Sequence, residues 1–177
     1  MTVMTIRRNP NTWAVAIAVL LPVIVMAGAY IAEMLGLVAC EMCWWQRWAH
    51  ISAMPPAFAA AIIHVRHPAE RGGIQRVLLG AAATAILTSG LIGVFHAGVE
   101  YHWWNGITAC TASLPRGMSS SDFLKTVIAQ PIIRCDVAQW TLLGVSLAGY
   151  NAILSIGGGL TVVGLIIRGG AHGTREG

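Results

Sequence analysis

Four long apolar stretches without a charged side chain, divided by polar or charged segments, dominate the pattern along the chain. They run from Trp13 to Ala32, Trp48 to Ile63, Val77 to Phe95 and Thr141 to Ile167. A helix needs about 20 mostly apolar residues to cross a bilayer. The pattern therefore predicts membrane-spanning helices at about 13–35, 44–63, 76–96 and 141–167. The expected fold is all-α, an integral membrane four-helix bundle forming a single domain over 1–177 with outer loops at about 36–43 and 97–140. Pro55-Pro56 lies inside the second stretch, where the missing N–H groups and ring clashes predict a bend. Gly90, Gly93 and Gly157 to Gly159 do not exclude spans, because neighbouring helices satisfy freed backbone groups, and they are read as packing positions.

Arg7 and Arg8 also suit the start of a secretory signal, and Leu37-Val38-Ala39-Cys40 has the form of a cleavage box. The first stretch exceeds the usual signal core and Glu33 separates it from that box, so it is read as a span.

Composition narrows the class further. Of 177 residues, 56% are hydrophobic and 10% charged, whereas soluble domains carry about 25% charge. Disorder is excluded as well, since it requires few apolar residues and much charge. The net charge of +4 does not indicate nucleic acid, because the basic residues sit singly or in pairs between apolar runs.

Those basic residues instead orient the bundle. Four spans place both termini and the loop 64–76 on one side, with Arg7, Arg8, Arg66, Arg71, Arg76, Arg168 and Arg175. Only Arg47, Arg116, Lys125 and Arg134 fall on the other side. The excess predicts that the first side is cytoplasmic. Six of the seven tryptophans, Trp44, Trp45, Trp48, Trp103, Trp104 and Trp140, then form a belt at the outer boundary. In the long outer loop, Ser119 to Asp122 offers N-cap chemistry before a stripe of Phe123, Leu124, Val127 and Ile128. This pattern predicts either a short helix on the outer membrane surface or a loop whose few apolar residues pack on the bundle.

All four cysteines fall at the outer face. Disulfides persist in oxidising compartments, and four cysteines allow three pairings. Cys40 and Cys43 have the Cys-x-x-Cys spacing of redox-active pairs. Stapling disulfides and a four-thiolate zinc site are the alternatives, although Cys110 and Cys135 are too far apart in sequence for the usual zinc spacing. A staple gives no reason to place Cys-Glu-Met-Cys at the start of a span, whereas a helix N-terminus stabilises a thiolate. Arg47, four residues after Cys43, shares its helical face. Its guanidinium can favour the thiolate and donate to a carbonyl oxygen; the alternative is a snorkelling anchor.

Cys40-Glu41-Met42-Cys43-Trp44-Trp45-Gln46-Arg47 resembles the Cys-x-x-Cys-x-x-x-Arg motif of the DsbB family of disulfide-generating membrane proteins. His96 to Cys110, and Cys135-Asp136 followed by Trp140 and Leu143-Gly144, are similar to its second outer loop and fourth helix. The resemblance implies a protein-dithiol:quinone oxidoreductase of the bacterial inner membrane. Its partners would be a periplasmic DsbA-like thiol oxidase and membrane quinone, of the ubiquinone or menaquinone type. By the same resemblance Cys110 and Cys135 form a disulfide attacked at Cys110, Cys135 exchanges with Cys40, and Cys43 reduces the quinone. Arg47, His96 and Glu100 would line the quinone site, with His102 a rival to His96, and no metal is implied. Glu41 stands where many relatives carry an apolar or small residue, and a carboxylate beside thiolates disfavours their charged form.

Two other functions compete. A vitamin K epoxide reductase-like enzyme is also a helical bundle with Cys-x-x-Cys, but carries that pair near a later span. A disulfide-stapled scaffold would not cycle between oxidised and reduced forms.

Overall fold

The computed structural model describes residues 10–66, 72–108, 119 and 134–173. Helices α1 (Pro10–Met34), α2 (Glu41–Arg66), α3 (Gly73–Glu100) and α4 (Leu147–Gly173) account for nearly all of the regular structure. Each is long and apolar enough to cross a membrane, so the chain is an all-α, multi-pass membrane four-helix bundle. The predicted surface helix after Ser119, and Cys110, lie outside the described residues.

Packing follows membrane logic. Apolar attraction between helices is weak in lipid, so small residues that let backbones approach become the interface. Ala14, Ala18, Ala57, Ala60, Ala82 and Ala83 are buried together with Val15, Leu79 and Val162. Leu20, Ile62, Val77, Leu91 and Leu160 face outward. A Cβ at Gly93 would lie 3.0 Å from the Ala148 carbonyl and the Ala152 nitrogen, and one at Gly90 would meet Ile156. Both glycines therefore allow α3 and α4 to close on each other. Helix α2 continues through Pro55 and Pro56.

The fourth helix starts later than the uncharged run beginning at Thr141. Thr141–Leu142 pairs antiparallel with Val145–Ser146 as β1 and β2. Leu143 and Gly144 have φ of 51° and 77°, the left-handed geometry of a tight two-residue hairpin. The Tyr101 hydroxyl fastens this hairpin to the end of α3, donating to Gly144 O at 2.7 Å and accepting from Ser146 N at 2.8 Å. Uncharged residues thus need not all be span, because a hairpin can satisfy its own backbone groups.

The other helix ends position the thiols. Helix α1 closes with Leu37 N to Ala32 O and Gly36 N to Glu33 O, the paired bonds of a Schellman ending, with Gly36 at φ 96°. Four residues later Cys40 caps α2. Its carbonyl accepts from Trp44 N at 3.1 Å and its sulfur from Cys43 N at 3.3 Å.

Candidate active site

Cys40 and Cys43 are free thiols with sulfurs 2.9 Å apart. Cys40 is buried just before α2, and Cys43 is partly buried in its first turn. The hydrogen bond to Cys43, then burial and the charge of Cys43, push the Cys40 thiol far above the usual thiol range. The Cys40 thiol donates to the Cys43 sulfur. Glu41 is exposed, so its carboxylate remains in contact with solvent.

Arg47 is 6% exposed, which is not how a snorkelling side chain is placed. Its Nη1 donates to Glu33 Oε1 at 2.9 Å and its Nη2 to Ala29 O at 3.5 Å. The guanidinium carbon lies 5.0 Å from the ring centroids of both Tyr30 and Trp44, within cation-π range.

His96 is buried near the C-terminal end of α3. Its Nε2 is 3.5 Å from Cys40 Sγ and 3.7 Å from Glu100 Oε1, and Gln46 Nε2 donates to its Nδ1 at 2.9 Å. The main chain of Cys135 is another hydrogen-bond partner of the imidazole. His102 is exposed with φ 58°. It supplies the left-handed residue that ends α3, where His102 N bonds Val99 O and Trp103 N bonds Gly98 O. It therefore serves as a helix terminator, while His96 faces the thiols.

Cys135 is fully buried, disulfide-bonded and packed with Cys40, Met42 and Val99. Its segment is clipped to the loop between α1 and α2 by Gln139, whose amide accepts from Val38 N at 2.9 Å and donates to Val38 O at 2.7 Å. Being in a disulfide, Cys135 has no thiolate to offer zinc. Cys40, Cys43 and His96 do bring three donor atoms within 4.8 Å of one another. However, Gln46 donates to Nδ1, which leaves the ring proton of a neutral His96 on Nε2 and removes the lone pair that a metal would need there.

These residues surround a cavity of about 420 Å³. Cys40, Cys43, Arg47, His96 and Glu100 all line it, together with Glu33, Gln46 and His50. Ile24 and Leu154, which belong to the outward-facing surface, also form part of its wall. Glu33, Gln46, His50 and Asn151 were not singled out as site residues from the sequence. The available signal was a polar side chain inside an apolar span, which is costly in a membrane and usually functional.

The model of the disulfide bond formation protein DsbB family matches residues 10–165. The chain belongs to the DsbB family. An uncharacterized protein of Rickettsia prowazekii (strain Madrid E) is 23% identical over 159 residues, 88% of each chain. No solved structure matches significantly. As a DsbB-family member the chain is a membrane protein of disulfide bond formation, and its Cys-x-x-Cys pair opens into a cavity bounded partly by lipid-facing residues.

Proposed function

We propose that the protein reoxidises a periplasmic DsbA-like thiol oxidase and passes the electron pair to membrane quinone, with both termini cytoplasmic and the cysteines facing the periplasm. The observation carrying this reading is the joint lining of one cavity by Cys43, Arg47 and the lipid-facing Ile24 and Leu154. A lipid-soluble acceptor can reach a thiol there without crossing water.

The residues fit a quinone headgroup. The cavity is of ligand size, since small-molecule pockets span about 300 to 1,000 Å³. Buried His50 Nδ1 and Glu100 Oε2 have no hydrogen-bond partner, which leaves polar capacity for a ligand. Arg47, His96 and Glu100 would hold the headgroup, and a bound quinone supplies a two-electron, two-proton acceptor. The Arg47 guanidinium presents donors toward a carbonyl oxygen, where preorganised donors stabilise developing charge.

The thiol steps balance through exchange. A partner thiolate attacks Cys110 of a Cys110–Cys135 disulfide, and the electron pair leaves on Cys135. Cys135 then attacks Cys40 of a Cys40–Cys43 disulfide, and Cys43 departs as the thiolate. The partner's second thiolate attacks the partner sulfur of the mixed disulfide, releasing oxidised partner and the Cys110 thiolate, which attacks Cys135 to regenerate the outer disulfide and leave Cys40 and Cys43 reduced. The packing of Cys135 against Cys40 supports the exchange. The test is anaerobic quinone reduction by purified protein with a reduced DsbA-like partner. Wild type should turn over and Cys43→Ser should not; quinone reduction that needs no cysteine would refute the reading.

A further inference from the structure

Buried polar groups behind the thiols form a chain whose donors all point one way. Asn151 Nδ2 lies 3.1 Å from the main-chain oxygen of Ser89. That oxygen can only accept, so the orientation of the Asn151 amide is fixed. The same Nδ2 donates to Gln46 Oε1 at 2.7 Å. Gln46 Nε2 then faces a second acceptor-only atom, Met42 O, at 3.2 Å and donates to His96 Nδ1 at 2.9 Å. On the other side of Asn151, Oδ1 accepts from His50 Nε2 at 2.9 Å.

We infer that Asn151 and Gln46 are positioning residues that fix the tautomer of His96, directing its Nε2–H at Cys40 so that Cys40 in turn donates to Cys43 and the negative charge rests on Cys43. This inference deepens the proposed function, in which Cys43 is the electron donor, and rests on it. A neutral imidazole carries one N–H, and a donor at Nδ1 leaves that proton on Nε2. The Nε2–H then lies beside Cys40 Sγ, with Glu100 Oε1 3.7 Å from the same nitrogen, and the ring also bonds the main chain of Cys135, so it contacts both cysteines of the inner exchange. Hydrogen bonds in such chains polarise one another, most strongly where the dielectric is low. Asn151 reaches Gln46 only because α4 approaches α3 at Gly93, where a Cβ would lie 3.1 Å from Asn151 Nδ2.

Nitrogen NMR of histidine-labelled, reduced full-length protein in lipid nanodiscs tests the tautomer, with His96 assigned by its loss in His96→Gln. Wild type should show one neutral form, protonated at Nε2; a proton on Nδ1 overturns the inference without any variant. Gln46→Leu and Asn151→Leu should lose the single form. The pH dependence of Cys43 alkylation, mapped by mass spectrometry, is the second readout. In both variants the curve should move to higher pH, with about a tenfold slower reaction near neutrality, the scale of one charge-assisted hydrogen bond. Gln75, a buried glutamine bonded to Ala60 O, supplies the packing control, and Gln75→Leu should leave the curve in place. An unmoved curve in the first two variants, or an equal shift in the control, overturns the inference. Neither readout uses quinone or partner, so protein that passes both yet reduces no quinone would sink only the proposed function.

Discussion

Arg47 on α2 and Glu33 at the end of α1 form an ion pair of 2.9 Å whose arginine side is 7% exposed and whose glutamate side is 32% exposed. The guanidinium is therefore held against the cavity by a carboxylate that itself lines it. Arg47→Lys loses the planar fork and should weaken apparent quinone affinity. Arg47→Ala should lower quinone reduction on the order of a hundredfold, the effect of removing one donor to developing charge. Glu33→Gln retains an oxygen acceptor while removing the competing charge, so it should lower apparent KM. Steady-state kinetics against quinone concentration check all three; unchanged kinetics in both arginine variants would reduce Arg47 to a packing residue.

Membrane orientation can be read with single-cysteine reporters in an otherwise cysteine-free chain. Gly73 is exposed with open space for a side chain, and Asn105 is exposed beyond the other end of α3. In intact cells a membrane-impermeant thiol reagent should label Asn105→Cys and not Gly73→Cys. The reverse pattern would invert the proposed topology.

The order of the relay predicts different traps. Cys110→Ser should abolish the mixed disulfide with the soluble partner, because the attacked sulfur is gone. Cys135→Ser should accumulate it from oxidised partner, whose disulfide the free Cys110 thiolate opens, because no Cys135 thiolate is present to reclaim Cys110. Non-reducing gels after mixing each variant with oxidised partner distinguish these outcomes. Equal trapping through Cys40 with the outer pair intact would reverse the order of electron flow.

The segment bearing Cys135 has one pH-dependent fastening and one that is not. Arg134 donates to both carboxylate oxygens of Asp136, at 2.9 and 2.6 Å, and holds that carboxyl below its ordinary range. A depressed native carboxyl stabilises fully above the unfolded carboxylate range, and its contribution is lost as pH falls through the native value. Arg134 is largely exposed, so this part is small. A phosphine reductant, which stays active in acid, should reduce the Cys135 disulfide several-fold faster in Gln139→Ala at all pH. Acid should accelerate wild type slightly and Asp136→Asn not at all. Equal rates for wild type and Gln139→Ala would show that the Val38 clip does not restrain the loop.

Gly93 faces backbone, which cannot move aside as a flexible side chain can. Gly93→Ala should cost about 1 to 3 kcal/mol, the usual penalty for overpacking, and should separate α3 from α4. Thermal unfolding in detergent measures the cost. Gly80, which has open space around it, provides the comparison, and a similar loss in Gly80→Ala would remove close approach as the cause.

The helices and the Cys-x-x-Cys-x-x-x-Arg arrangement were legible because apolar run length and helical spacing are local properties. What escaped was relational. Glu33 read as a residue ending a span, yet the turn at Gly36 brings α2 back alongside it and gives it Arg47. Asn151 is marked in the sequence only as a polar side chain within an uncharged run, and its role depends on close approach to α3. Spacing favours His96, one helical turn before Glu100, with His102 as its rival, and the left-handed backbone at His102 marks that residue as a helix terminator instead. The uncharged residues before Leu147 looked like membrane span because composition carries no record of a hairpin.

Cys40 supplies both the sulfur and the carbonyl that close the first turn of α2. Every change of bonding partner at that sulfur thus falls on an atom that also caps a helix. When Cys40 bonds Cys43 or Cys135, its sulfur no longer has a proton to donate to Cys43, and reduction restores that donor. The first turn of α2 is therefore built on an atom whose bonding partner is set by the redox state of the pair.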